Sequence, residues 1–299
     1  MLEHAWVEPA VCSQPCGPEP PRWPLQHLLD EAVGRWSARP AVEFMGKVIS
    51  YREFGALVDR VAKGLQQLGV APGVRVALHL PVTPHVAIAF FAVLKAGGTV
   101  VDCSAITGEP ALRRVLDTSR SEILVTLAAP GWYEPMQRPL DSAALKRVVV
   151  GTLAQFASQP DAVIAEQRRS GEHVDVPIDG RHVRFGELLR NDGRCHVHPI
   201  ADLAHAVALL RCAGRDSEVL THATLGAICR QRAQAAHRAE LALTGSDAST
   251  HVALPLCDPR TLITDMLLCV QLGALQLLGA DDARLVLNRM AAPRICRSN

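Results

Sequence analysis

The sequence predicts an α/β protein whose mostly parallel sheet is flanked by helices. Apolar stripes of helical period alternate with short β-branched runs between residues 50 and 150, an order typical of strand–helix–strand crossovers. The 299-residue chain is 48% hydrophobic and 20% charged, which excludes disordered and collagen-like proteins. A chain of this length buries most of its apolar surface. These observations favour a folded protein with helices on both sides of a sheet.

The first elements are a helix, a strand pair and a longer helix. Apolar residues recur every three or four positions over residues 25–36, which predicts an amphipathic helix that ends before Pro40. Short strands over 41–44 and 47–50 flank a hairpin-like turn at Met45-Gly46. Ser50 and Glu53 have the spacing of a capping box, and the helix they open is predicted to stop at Gly69.

Strands and helices then alternate as in a parallel sheet. Thr83 and Pro84 predict the start of a helix because proline is tolerated in a first turn. We expect strands over 74–80, 99–102, 122–126 and 145–150, and helices over 83–95 and 109–119.

The second half of the chain is less regular. Residues 151–200 are predicted to be connecting and peripheral structure, and residues 201–211 return to an apolar run. We expect a helix over 224–241, a strand over 251–254, and a helix and a strand over 262–278 that separate near Gly273. The expected division is a flexible lead-in over 1–24, one domain over 25–288 and an irregular tail over 289–299.

Composition excludes several classes of function and location. A net charge of +1 provides no general field for nucleic acid or an anionic membrane surface. The apolar stretches 86–101 and 261–280 are interrupted by charged residues or glycines, so neither predicts a membrane span. Nine scattered cysteines and the absence of a signal-peptide pattern predict reduced thiols in the cytoplasm.

Common catalytic motifs are absent. The chain contains no G-x-x-x-x-G-K-[ST] phosphate loop, no G-x-G-x-x-G dinucleotide motif and no G-x-S-x-G elbow. Cys195, His196 and His198 lie close together, but no second ligand pair matches them, so we expect no metal site. The chain has four lysines and none after Lys146, which excludes any mechanism that needs a lysine in the second half.

A set of segments nevertheless resembles the N-terminal domain of the AMP-forming acyl-CoA ligases, especially the long-chain-fatty-acid and dicarboxylic-acid ligases of the adenylate-forming superfamily. The run from Gly64 to Gly98 is the most specific, because a helix, a Pro-Gly turn, a strand and a Leu-Lys-Ala-Gly segment follow one another in the family's order. The resemblance covers roughly residues 20 to 285. The matching segments are 23–30, 50–53, 64–81, 90–98, 191–194, 220–222 and 254–255.

The resemblance implies a two-step reaction. A carboxylic acid attacks the α-phosphate of ATP to give an acyl-adenylate and pyrophosphate, and coenzyme A then displaces AMP, with magnesium assisting. In the family, a loop rich in Ser, Thr and Gly that carries a Pro-Lys-Gly step wraps the triphosphate just before the segment matched by residues 220–222. ATP, magnesium and coenzyme A are therefore the cofactors and co-substrates expected if activity is retained.

The sequence departs from the family where the phosphates would bind. Residues 210–219 are several residues shorter than the family loop and contain one glycine, no threonine and no lysine. Asp216 and Glu218 bring negative charge there, which Arg211 and Arg215 only partly offset. The family's Leu-Pro-aromatic-His signature is replaced at residues 254–258. The family's adenine motif, ribose-binding aspartate and lid domain would lie beyond residue 299, so we expect a truncated N-terminal region of the family fold.

These departures predict a pseudoenzyme with no catalytic residue. Residues that would still contact a ligand are Gly214, Arg215, Ser217 and Thr221 near a phosphate, and Asp258 at the acyl site. Alternatives are a non-catalytic module that binds a fatty or dicarboxylic acid or pairs with an intact ligase chain, a weak ligase whose missing lid a partner chain supplies, and a decayed gene product. Arg211 or Arg215 would have to replace the lost lysine in a weak ligase, although the two side chains are not equivalent.

Overall fold

The computed structural model describes residues 23–133, 144–177, 179–213, 216–244, 253–255 and 261–278. In this part of the chain the strands form a seven-stranded sheet and a four-stranded sheet. The predicted α/β class is confirmed, because the larger sheet is parallel apart from one antiparallel pair, strands 207–213 and 216–221.

The N-terminal elements follow the local sequence signals. Helix α1 spans His27–Trp36, strands β1 and β2 span Pro40–Phe44 and Lys47–Ser50, and helix α2 spans Tyr51–Gln67. The turn between the strands has positive φ at both Met45 and Gly46, the conformation of a type I′ hairpin. The predicted capping box at the start of α2 is present.

The central elements build the parallel sheet. Their bounds are β3 Arg75–Leu78, α3 Pro84–Lys95, β4 Thr99–Asp102, α4 Glu109–Ser119, β5 Ile123–Leu127 and β6 Arg147–Gly151. Helix α3 packs on the sheet face that carries Leu78, whereas α4 packs on the opposite face with Ala77. Adjacent strands β3 and β4 therefore send their following helices to opposite faces of the sheet.

The remaining elements complete both sheets. They are α5 Pro160–Arg169, β7 His182–Arg184, β8 Val207–Ala213, β9 Asp216–Thr221, α6 His222–Thr244, β10 Ala253–Pro255, α7 Leu262–Leu272 and β11 Leu275–Leu278. The larger sheet has the strand order β7-β6-β5-β3-β4-β8-β9, and the smaller sheet has the order β10-β11-β1-β2. The expectation of peripheral structure over residues 151–200 was incomplete, since α5 and β7 lie there and β7 pairs with β6. A single turn at Phe185–Leu189 also places Phe185 and Leu188 in the core.

The two apolar stretches tested for membrane spans fold as helix–strand pairs, α3 with β4 and α7 with β11. Among the residues that the structure describes, no helix has the length and hydropathy needed to cross a bilayer. Most of the predicted lead-in over 1–24 and all of the predicted tail over 289–299 lie outside the described residues.

Candidate functional site

The β8–β9 hairpin occupies the place where the resemblance puts the phosphate loop. Ala213 at the end of β8 pairs with Asp216 at the start of β9. Only residues 214 and 215 stand between these paired positions in the sequence. Antiparallel strands can be joined by a two-residue connection, so the pairing continues to the last residue before the connection. The hairpin leaves no room in the sequence for a longer loop.

Three charged residues form a row across the strands beside this connection. Asp102 of β4 is in register with Arg211 of β8, and Arg211 is in register with Glu218 of β9. Arg211 Nη1 donates to Glu218 Oε2 at 2.8 Å. Residues in register on neighbouring strands share a face, and this face also carries Val100, Leu209 and Leu220. The row holds two carboxylates and one guanidinium, so it is negative when both acids are ionised.

Burial sets the properties of Asp102. The residue is 5% exposed and its Oδ1 accepts from the Ser104 backbone N–H at 3.0 Å. Burial raises the pKa of the Asp102 carboxyl, while the hydrogen bonds from Ser104 and the charge of Arg211 oppose that rise. The Arg211 guanidinium is paired with Glu218, and its charge also acts on the Asp102 carboxyl.

Two of the residues predicted to contact a phosphate, Ser217 and Thr221, lie in the described part of the chain, near opposite ends of β9. Ser217 is exposed and pairs with Cys212 near the two-residue connection. Thr221 pairs with Val207 at the other end of the hairpin, about 13 Å away along the strand. The structure therefore does not bring Ser217 and Thr221 together at one phosphate.

The Thr221 side chain already has a local role. It is 1% exposed, and its Oγ1 accepts from the Thr224 backbone N–H at 3.1 Å. This contact is an N-cap at the start of α6. A phosphate contact by Thr221 remains a prediction. Gly214, Arg215 and Asp258 lie outside the described residues, and their assignments also remain predictions.

The cysteines near the row are neutral thiols in a packed environment. Cys103 follows β4, and Cys212 lies in β8 on the opposite face from Arg211; both are buried. Burial raises the pKa of the Cys212 thiol to about 11, so it is not an activated nucleophile. All five cysteines in the described part of the chain are free thiols. The described residues also contain no group of three or more ligands arranged to hold a metal ion.

Three buried histidines are features that sequence reasoning missed. His79, His85 and His222 are each at most 3% exposed. Burial is the main cause that lowers the pKa of each to about 4. His85 lies between the rings of Phe156 and Phe185, with centroid distances of 4.8 and 4.9 Å. No local motif marks these residues, because their burial depends on helices and strands far apart in the sequence.

Comparison with known proteins gives a consistent assignment. Residues 29–197 match the family described as AMP-binding enzyme. The chain is 34% identical over 137 residues to the salicyl-AMP ligase / salicyl-S-ArCP synthetase of Mycobacterium tuberculosis, covering 42% of this chain and 24% of that protein. It is 31% identical over 107 residues to a long-chain-fatty-acid–CoA ligase of Bacillus subtilis, covering 36% of this chain and 19% of that protein.

Solved structures share the fold. The coronafacic acid ligase of Pectobacterium brasiliense aligns with a TM-score of 0.68 at 15% identity, over 90% of this chain and 48% of that one. A long-chain-fatty-acid-CoA ligase from Archaeoglobus fulgidus aligns with a TM-score of 0.64 at 17% identity, over 88% and 48% of the two chains. The chain thus spans about half the length of these structures, and its alignments cover about a quarter or less of the two sequence relatives.

Proposed function

Because the chain belongs to the AMP-binding enzyme family, we propose that it is a non-adenylating member. In this proposal it has kept the family fold and lost the loop that binds the phosphates of ATP. The observation that carries this proposal is the pairing of Ala213 with Asp216, which closes the β8–β9 hairpin over two residues. Stabilising charge on a transferring phosphoryl group requires several convergent donors and a cation. A two-residue connection supplies too few backbone N–H groups to replace a wrapping loop.

Local charge supports the same conclusion. A polyphosphate beside the β8–β9 connection would meet Glu218 and, two strands further, the buried Asp102. Two unit charges 4 Å apart interact by about 4 kcal/mol at the effective dielectric near a protein surface. Arg211 is the one cation in the row of Asp102, Arg211 and Glu218, and its Nη1 is 2.8 Å from Glu218 Oε2. It is therefore a poor replacement for a lysine that must be available to phosphate.

The role that remains for such a domain is binding. We propose that the chain carries a fatty or dicarboxylic acid, or pairs with an intact ligase chain, in the cytoplasm. The free thiols of the described part are consistent with a reducing compartment. The relatives that act on long-chain fatty acids support the choice of acid, and the salicyl-AMP ligase relative makes an aryl acid the comparison to include.

Calorimetric titration of the chain with ATP and magnesium tests whether the chain has lost the ability to bind the phosphates of ATP. We expect no saturable heat up to about 1 mM nucleotide, the upper end of ordinary substrate affinities, and no pyrophosphate release when a long-chain or aryl acid is added. Titration of the acid alone is the second arm, and saturable binding there supports the carrier role. ATP binding with pyrophosphate release would contradict the proposal.

A matched variant separates loss of the loop from excess negative charge. Glu218→Gln removes one carboxylate from the row and frees Arg211 Nη1. If the missing loop is the cause, Glu218→Gln will bind ATP no better than the unaltered chain. Strong ATP binding by this variant would show that charge alone blocked the site. Pyrophosphate release by this chain that appears only when a partner chain supplying the lid is added would instead support the weak-ligase alternative.

A further inference from the structure

Two of the free cysteines lie beside each other on neighbouring strands of the larger sheet. Asp102 of β4 is in register with Arg211 of β8, and Cys103 and Cys212 come directly after these two residues. The Cys103 N–H donates to the Leu78 carbonyl of β3 at 2.9 Å, so the sheet geometry continues to this residue. Neighbouring strands are about 4.8 Å apart, and a disulfide joins residues whose Cα atoms are about 4.4–6.8 Å apart. The register therefore places the two backbones at a separation that a disulfide can span.

Both cysteine side chains lie on the same face of the sheet. Cys103 and Cys212 belong to one apolar cluster with Val101 and Leu210, and Val101 is in register with Leu210. Alternate residues of a strand share a face, so each cysteine lies on the face of the member of that pair two residues before it. Burial raises the pKa of the Cys103 thiol, and the nearby Cys212 thiol adds to that rise. The two thiols are therefore neighbours in space although they are far apart in the sequence.

The two thiols differ in their access to solvent. Cys103 is fully buried, whereas Cys212 is 7% exposed. Ser217, which is in register with Cys212 on the edge strand β9, is exposed. A small solute therefore approaches the pair from the side of Cys212. Because burial raises the pKa of the Cys212 thiol to about 11, little of it is ionised at neutral pH, and its oxidation requires an excess of oxidant.

We propose that Cys103 and Cys212 are an oxidation site, at which hydrogen peroxide converts the two thiols into a disulfide between the end of β4 and β8. The Cys212 sulfur attacks one peroxide oxygen, the O–O bond breaks, and the products are a sulfenic acid and water. The Cys103 sulfur then attacks the Cys212 sulfur, the S–O bond breaks, and a second water leaves. Two electrons pass from the sulfurs to one peroxide, and both thiol protons end in the two water molecules.

The disulfide fastens the β8–β9 hairpin to the centre of the sheet. It closes a ring over residues 103–212, and a long ring restricts the unfolded chain more than a short one does. Since the two cysteines come directly after Asp102 and Arg211, oxidation also fixes the register of the charged row. This inference concerns thiol chemistry and does not depend on whether the chain binds a nucleotide or an acid.

Peptide mapping of the peroxide-treated chain tests the proposal. The folded chain is treated with increasing hydrogen peroxide, the remaining thiols are blocked with N-ethylmaleimide in denaturant, and a digest made without reductant is analysed by mass spectrometry. We expect a peptide that joins Cys103 to Cys212, and we expect dithiothreitol to remove it. The cross-linked chain should also unfold at a temperature about 5 °C higher than the reduced chain.

Variants assign the two steps. Cys103→Ala removes the second thiol, so Cys212 should stop at a sulfenic acid that dimedone traps, whereas Cys212→Ala should leave the buried Cys103 reduced. Cys229→Ala removes a buried thiol of α6 and should leave the cross-link unchanged. The unaltered chain keeps the test valid if a variant does not fold. Two unreacted thiols at a peroxide dose that oxidises the half-buried Cys195, or a cross-link from Cys212 to another cysteine, would overturn the proposal.

Discussion

The backbone N–H of Leu25 donates to His222 Nδ1 at 3.1 Å, which ties the segment before α1 to the first residue of α6. His222 is 3% exposed. Its Nδ1 accepts only while that nitrogen carries no proton. The contact between the segment before α1 and the start of α6 therefore depends on a neutral imidazole.

The first prediction is a loss of stability in acid. Burial lowers the pKa of His222 from its ordinary value of 6.5 to about 4. Between these two values the unfolded chain binds a proton that the folded chain does not, so the free energy of unfolding falls as pH falls. One such histidine contributes a slope of at most about 1.4 kcal/mol per pH unit, and His79 and His85 act in the same direction.

Urea unfolding at several pH values between 4 and 8 measures this effect. His222→Gln keeps an acceptor but cannot titrate, so its stability should depend less on pH than that of the unaltered chain. His27→Gln changes an exposed histidine at the start of α1 and serves as the control. An identical pH profile for His222→Gln and the unaltered chain would contradict this account of the Leu25 contact.

The second prediction compares the only two tyrosines in the chain. Tyr51 Oη donates to the Ala274 carbonyl at 2.8 Å, joining the start of α2 to the segment after α7. Tyr51→Phe leaves that buried carbonyl without this donor, which costs about 1–3 kcal/mol. Tyr133 is also buried, but its Oη has no hydrogen-bond partner.

Tyr133→Phe therefore removes a hydroxyl that makes no such bond, and it should leave stability unchanged or raise it. Thermal unfolding followed by circular dichroism ranks the two variants. Equal losses of stability in the two variants would contradict the prediction, because the hydrogen-bonded Tyr51 hydroxyl would then contribute no more than the unpartnered Tyr133 hydroxyl.

The elements that were predicted correctly are those whose start or end is determined by residues adjacent in the sequence. The capping box of Ser50 and Glu53 and the first-turn Pro84 fix helix starts through neighbouring residues, and both are present. Helix α5 and strand β7 were missed because their own sequences are largely polar. Strand β7 has three residues and is a strand because β6 lies beside it, which no local window contains.

The same distinction applies to the site. The short connection between β8 and β9 can be counted in the sequence, so the tight hairpin was foreseeable. The row of Asp102, Arg211 and Glu218 was not, because it requires the register of β4 against β8.

The third prediction concerns the contact between Gly273 and Trp36. Gly273 has φ +64, and an added Cβ would lie 2.4 Å from Trp36 Cδ2. Gly273→Ala should therefore combine backbone strain of about 1 kcal/mol with the cost of displacing the ring. Gly171 has φ +73 and nothing within 4 Å of a built Cβ, so Gly171→Ala reports the strain alone.

Denaturant midpoints and tryptophan fluorescence distinguish the two glycine variants. Gly273→Ala should lose more stability than Gly171→Ala and should also shift the emission of Trp36. If the two variants lose the same stability and the emission is unchanged, the ring is not held by Gly273.

The fourth prediction tests the charged row. Arg211→Met removes the cation whose charge lowers the pKa of buried Asp102, so that pKa rises further above its ordinary value. A carboxyl with a raised pKa in the folded state favours folding at low pH, and this contribution is lost as pH rises through the folded pKa. The destabilisation caused by Arg211→Met should therefore be larger at pH 8 than at pH 5. Adding Asp102→Asn to Arg211→Met should remove that difference, because the amide cannot ionise. A destabilisation that is the same at both pH values would show that Arg211 acts through packing and its Glu218 contact, without stabilising the Asp102 carboxylate.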